Sequence, residues 1–278
     1  MARSKAKPAA PTGAPSNVVP ISAARRRAAS VTGGGDSSRR AADRSEAAAT
    51  AALTRAMRAK TPESRAKFAR LGLTHTCEVD TQAMLLRQLY LGLLETERFE
   101  QARTAAEQMI ALGVLPDVAR HDAARACQAA GDFDAAVEHL REAARVGPVE
   151  RRAFHLSSLG GLLYAIGRER EAIEPLERAV AERGTPLALL EGQLALAMRD
   201  SEAALDIAYT TLANDPAGEG YGRFVLGELA FARGDRQRAR LHLEAFLGRV
   251  RRSRPAARAA LSPEVARAET TLGRIVLN

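Results

Sequence analysis

Between Ala83 and Val250 the chain repeats itself about every 34 residues. Four stretches align: Glu97-Arg98-Phe99-Glu100-Gln101-Ala102, Gly131-Asp132-Phe133-Asp134-Ala135-Ala136, Gly167-Arg168-Glu169-Arg170-Glu171-Ala172 and Gly234-Asp235-Arg236-Gln237-Arg238-Ala239. Each holds a turn signal, then an aromatic or polar position, then a small alanine, with apolar residues at helical spacing on either side. A unit of this length cannot bury its apolar face alone. A fixed period therefore calls for an array in which each unit stacks on its neighbours. Composition agrees: Trp is absent, aromatics make up 4% of residues, and abundant Ala, Leu, Arg and Glu favour helix over strand.

The unit is clearest over residues 117–150. Its pattern predicts a helix over about Val118 to Ala129, a turn at Gly131-Asp132, a second helix over about Asp134 to Arg145, and a stop at Gly147-Pro148. Ala124, Gly131, Phe133, Ala136, Ala143 and Pro148 carry the pattern, and in this respect the segment resembles the tetratricopeptide repeat, a helix–turn–helix unit. Ala124 and Ala136 are small where two helices cross closely, and Phe133 fills the space near the turn. Neighbouring units come at about 83–116, 153–184, 185–218 and 220–252. The fourth lacks a glycine turn and has shortened spacing. The resemblance implies an all-α, right-handed α-solenoid of about five hairpins over 83–252. It further implies an adaptor or scaffold with no catalytic activity of its own. A partner peptide or helix would lie in a concave groove lined by the first helix of each unit. Carried over, the groove positions are Met84, Arg87 and Leu91, then His121, Arg125 and Gln128, then Phe154, Ser157 and Tyr164, and finally Gln193, Tyr221, Phe224, Glu228 and Phe231. The two arginines suit carboxylates and the aromatics suit apolar side chains. The carboxylate clamp of co-chaperone tetratricopeptide domains is not reproduced, since Leu91, Ser157 and Gly161 stand at its places.

The flanks differ in character. Residues 1–45 carry nine Lys/Arg and two acids, a net +7 of the chain's +8, so the remainder is nearly neutral. Their Pro, Gly, Ser and Arg content leaves too little apolar surface to offset ordering entropy, and the expectation is a disordered basic tail. Val18-Val19-Pro20-Ile21 followed by Arg25-Arg26-Arg27 forms an island within it, a candidate docking or phosphate contact. Residues 46–82 read as helices or a degenerate hairpin. Ser45 is the candidate N-cap of the first, Thr61-Pro62-Glu63 starts the second, and Gly72 is its candidate left-handed cap. Ser262-Pro263-Glu264 opens a last helix over 262–277, expected to cap the apolar edge of the array.

Sites of chemistry are not evident. No two histidines stand at i, i+4, no phosphate loop or nucleophile elbow occurs, and Cys77 and Cys127 have no metal-ligand spacing. His139 reads as surface, Cys127 as a buried free thiol, and no cofactor or metal is expected. Arg far outnumbers Lys, a bias of GC-rich bacterial genomes. Without a signal-peptide pattern or a long apolar run, the expectation is a cytoplasmic protein with no integral membrane association. The alternatives are a nucleic-acid-associated regulator using the basic tail, or an obligate non-catalytic subunit of a larger complex.

Overall fold

The computed structural model describes residues 35–277, with side chains over 37–276. The tail candidates Val18, Val19, Ile21, Arg25, Arg26 and Arg27 lie outside the described residues. The chain divides into Met1–Arg39 and Arg40–Asn278, and every described helix belongs to the second unit, save the first residues of the N-terminal one. Among the described residues the structure is all-helical, with no strand, and no helix is long and apolar enough to cross a membrane.

Helix α1 spans Gly35–Met57 and α2 spans Pro62–Leu73. Five helix pairs come next: α3 (Val79–Glu95) with α4 (Phe99–Leu112), α5 (Pro116–Ala130) with α6 (Phe133–Val146), α7 (Val149–Ala165) with α8 (Glu169–Ala181), α9 (Leu187–Met198) with α10 (Glu202–Ala213), and α11 (Arg223–Ala232) with α12 (Arg236–Arg251). Helices α13 (Pro255–Ala260) and α14 (Ser262–Leu277) complete the chain. Through α12, packing runs mainly between helices adjacent in sequence. Two- or three-residue links within each pair make its helices antiparallel neighbours.

One backbone device recurs in all five links. A residue with positive φ ends the first helix and reverses the chain: Glu97 (58°), Gly131 (83°), Gly167 (83°), Arg199 (53°) and Gly234 (80°). Side-chain caps then start several second helices, with Asp132, Ser201 and Asp235 accepting from the amides of Ala135, Ala204 and Arg238. The fourth pair thus makes the same turn with Arg199, where the sequence shows no glycine. A side chain in left-handed backbone carries a penalty of about 1–2 kcal/mol. Gly131→Ala is accordingly expected to lower unfolding stability by about that amount. Gly273→Ala, on a helix with nothing near the added methyl, is expected to be neutral or stabilising. Equal midpoints for both variants in urea denaturation would refute this account of the turns.

Small residues set the close approach within pairs. A Cβ on Gly160 would lie 2.4 Å from Leu176 Cγ, and one on Gly227 would lie 2.5 Å from Leu243 Cδ2. The buried apolar residues form two clusters that meet on α5. Ala119, Ala123 and Ala126 pack toward α2–α4, whereas Ala124 and Cys127 pack toward α6 and beyond. Cys127 is a buried free thiol.

Several local expectations need correction. Residues 35–45 are helical and belong to α1, so Ser45 lies within a helix and is not its cap. Glu46 instead serves the start of α3, accepting from the Glu78 amide at 2.6 Å and from Thr81 Oγ1 at 2.7 Å. A carboxylate there is favoured by the free amides and the helix dipole. Gly72 is no left-handed cap: it is buried inside α2, where a Cβ would lie 2.5 Å from a Leu85 methyl. Ser262 does not cap α14 by its hydroxyl, which donates to the Gln128 carbonyl at 3.4 Å. Helix α14 contacts the last pair, α11 and α12, but also reaches back to α7 and α5, while α13 lies on α5 and α3. The terminal segment thus runs across the first helices and does more than close the end of the array.

Candidate protein-interaction face

Where α5–α6 meets α7–α8, three polar pairs join residues 34 positions apart: Asp117 with Arg151, His121 with His155, and Asp134 with Arg168. Equivalent positions of consecutive units therefore touch. Asp117, 1% exposed, accepts from Arg151 Nε at 2.7 Å and Nη2 at 2.9 Å, and lies 3.0 Å from His155 Nε2. Burial acts to raise its pKa, but the hydrogen bonds from Arg151 and His155 outweigh it and hold the carboxyl below its usual range. Burial drives both histidines toward the neutral form, His121 to about 3, with His155 as its next largest cause. A neutral His155 that donates from Nε2 to Asp117 leaves Nδ1 to accept from His121 Nδ1, 3.4 Å away. Both ring nitrogens of His155 are then occupied by Asp117 and His121. The cluster fixes one junction. Among the described residues no group of three His, Cys, Asp or Glu is arranged to hold a metal ion.

A second network centres on Arg267 of α14. Its Nε donates to Glu228 Oε2 on α11 at 2.7 Å, its Nη2 to Glu169 Oε1 on α8 at 2.7 Å, and its Nη1 to the Tyr164 carbonyl on α7. The guanidinium carbon stands 3.7 Å from the centroid of the Tyr164 ring. Glu228 also accepts from the Tyr164 hydroxyl at 2.9 Å and from Thr271 Oγ1 at 2.7 Å. Burial, and then the charge of Glu228, pushes the Tyr164 phenol well above its usual value, which keeps the proton that makes this bond. Glu169 is held low despite burial because Arg267 and Arg199 both donate to it.

The groove residues expected from the sequence separate into three groups. Tyr164, Phe224 and Glu228 are buried rather than open, 2%, 4% and 4% exposed, because α14 and the neighbouring aromatic Phe246 close over them. Phe231, Leu91, Met84, Ser157 and Gln193 are partly buried. Phe231 lines a cleft of about 830 Å³ beside α14, together with Phe133, Leu196 and Arg274. Arg87 is committed to Asp122, with Nε 3.4 Å from Oδ2 in a geometry that makes an ion pair but no hydrogen bond. Burial raises the Asp122 carboxyl to about 6 against the pull of Arg87 and Arg125, which is partly buried nearby. Gln128 gives its carbonyl to Ser262. The open surface is Phe154, 57% exposed, stacked at 4.8 Å on the partly buried His121, and Tyr221, 40% exposed, which hydrogen-bonds Ser253 and lies under Arg249. His139 is partly buried 3.5 Å from Arg120 and is not the solvated side chain expected.

Arg267, Glu169, Asp117 and Arg151 were not among the expected residues. The 34-residue period itself pairs Asp117 with Arg151. Nothing local in the sequence ties Arg267 to its partners, which lie up to 103 residues away.

Glu264 of α14 supplies a pH response. Its Oε2 is out of solvent without a hydrogen-bond partner, and burial pushes its pKa up to about 7 from 4.5. A raised carboxyl pKa in the docked state favours docking while the group is protonated. That contribution is complete below about 4.5 and is lost as pH rises through 7. Glu264→Gln is expected to flatten the wild-type decline in α14 protection between about pH 5 and pH 8, read by hydrogen exchange. Parallel profiles for the two proteins would contradict it.

No protein-family model and no curated protein matches this chain.

Proposed function

We propose that the protein is a non-catalytic adaptor, a right-handed solenoid of tetratricopeptide-like hairpins whose first helices α3, α5, α7, α9 and α11 form a continuous face for a helix of another protein. The observation that carries this reading is that the face already receives a helix. Helix α14 lies on α5, α7 and α11, and α13 lies on α3 and α5. The repeat resemblance, the five like turns and the pairing of equivalent positions support the solenoid geometry. The working surface is exposed Phe154 and partly buried Arg125, together with the ground under α13 and α14.

The test is crosslinked capture from native lysate by the full chain and by a Phe154→Ala/Arg125→Glu variant. Phe154 is largely exposed, so its loss spares the fold. Arg125→Glu sets an acid near buried Asp122, so the variant is compared only once urea denaturation shows it folded. A protein captured by the wild type and lost in the variant supports the adaptor. Capture that ignores the variant and disappears with nuclease or high salt transfers the function to the basic residues and sinks this reading.

A further inference from the structure

The socket around Arg267 is built almost wholly by the helix pairs. Tyr164 comes from α7, Glu169 from α8 and Glu228 from α11. Two carboxylates and one aromatic face converge on one guanidinium, and Glu228 is 4% exposed. Whatever occupies the site must bring a cation, because a buried carboxylate left without one is strongly unfavourable. The planar geometry selects arginine over lysine. One flat group stacks on Tyr164 while donating from three nitrogens in diverging directions, and a tetrahedral ammonium cannot do both.

The helix that brings it reads as a ligand. Leu261, Val265, Ala268, Leu272 and Ile275 recur at alternating spacings of four and three and pack on the core of the helix pairs, with Arg267 beside the central small residue. That is the pattern by which an amphipathic helix enters a groove. Its attachment is one-sided. It follows the exposed Arg251, Arg252 and Arg254, and α13 has no buried residue. On α14 Ala266, Glu269, Thr270, Gly273, Arg274 and Val276 are exposed, and Glu264 Oε2 has no partner.

We infer that residues 255–277 are an internal stand-in for the adaptor's partner: the partner is an amphipathic helix with an arginine next to a small residue at the centre of its apolar stripe, and it takes the same socket when α13 and α14 leave. This rests on the adaptor reading. The chain holds its own site closed, and a partner binds to the extent that it outcompetes a tethered helix of the same chemistry.

The experiment uses the full chain with a specific protease sequence in place of residues 251–254, cut after folding. The probe is a fluorescent peptide copying residues 255–278. In polarisation measurements the cut protein is expected to take up the peptide, the uncut protein to exclude it, and unlabelled peptide to displace it. A peptide with Arg267→Lys is expected to bind at least about tenfold more weakly, and one with Glu269→Ala to bind as the parent does. No uptake by a cut protein that stays folded would overturn the inference and make α14 a fixed part of the core. Lys and Arg peptides of equal affinity would overturn the socket. Wild-type chains that dimerise through α14, with dimers broken by Arg267→Glu, would make the occupant a second copy and overturn the partner. If the peptides behave as expected while the lysate capture fails, the adaptor reading falls and the arginine selectivity of the socket stands.

Discussion

Arg267→Ala is expected to shift the docking of α14 toward release by about 3–5 kcal/mol, the usual penalty for removing one partner of a buried ion pair. Three bonds and a cation–π contact disappear together, and buried Glu228 is left without a cation while Glu169 keeps Arg199. The change falls on residues 262–276, whose amides lose protection in hydrogen exchange, while the pairs from α3 to α8 keep theirs. Charge explains the effect only if it is relieved by removing the second charge. An Arg267→Met/Glu228→Gln double variant replaces the pair with an apolar side chain and a neutral amide, whose oxygen accepts from one of the Tyr164 and Thr271 hydroxyls while its NH2 donates to the other. It is expected to recover more than half of the loss, with a coupling energy of about 1–3 kcal/mol. Unchanged protection in Arg267→Ala would show that α14 is held by its apolar stripe alone.

Asp117→Ala is expected to lower the stability of the full chain by about 3–5 kcal/mol. Arg151 is partly exposed and turns to water, but His155 is 1% exposed and is left with an unmatched donor on Nε2. Asp117→Asn keeps one oxygen for His155 and Arg151 Nε but loses the charge and the acceptor for Arg151 Nη2, which can turn to water, so the expected loss is smaller, roughly 1–3 kcal/mol. Urea denaturation of both variants separates the two, and equal losses would place the energy in packing rather than in charge. The same cluster gives an acid response. His121 and His155 have folded pKa values below 6.5, so the stability from keeping them neutral is complete above 6.5 and is lost as pH falls, toward about 3 for His121.

The helix pairs are legible because their signals are local. Gly131, Gly167 and Gly234 announce left-handed turns, and Asp132 and Asp235 announce the second helices of their pairs. Arg199 and Glu97 adopt the same backbone without the residue that favours it. There the surrounding packing overrides local preference, and the fourth pair looks irregular in sequence while its turn is not. The start of α1 is hidden because Gly, Ser and Arg count toward a tail, although the Arg39-Arg40-Ala41-Ala42 run has good helix propensity. The face itself is illegible for a different reason. Tyr164 and Glu228 do stand on first helices, but whether they meet water depends on α14, which reaches Tyr164 through Arg267 across 103 residues and Glu228 through Arg267 and Thr271 across 39 and 43. No periodicity within the units encodes those contacts.

The pairs at equivalent positions are also asymmetric: an acid on one unit meets an arginine on the next. The units therefore share a shape without being interchangeable. Duplicating residues 117–150 in tandem would set Asp117 against a second copy of itself, two like charges in a place built for opposite ones. Skipping a unit would leave that aspartate buried beside no cation at all. The order of the units is written into the junction, and a chain that stacked its hairpins in the wrong sequence would announce the error as an unpaired charge.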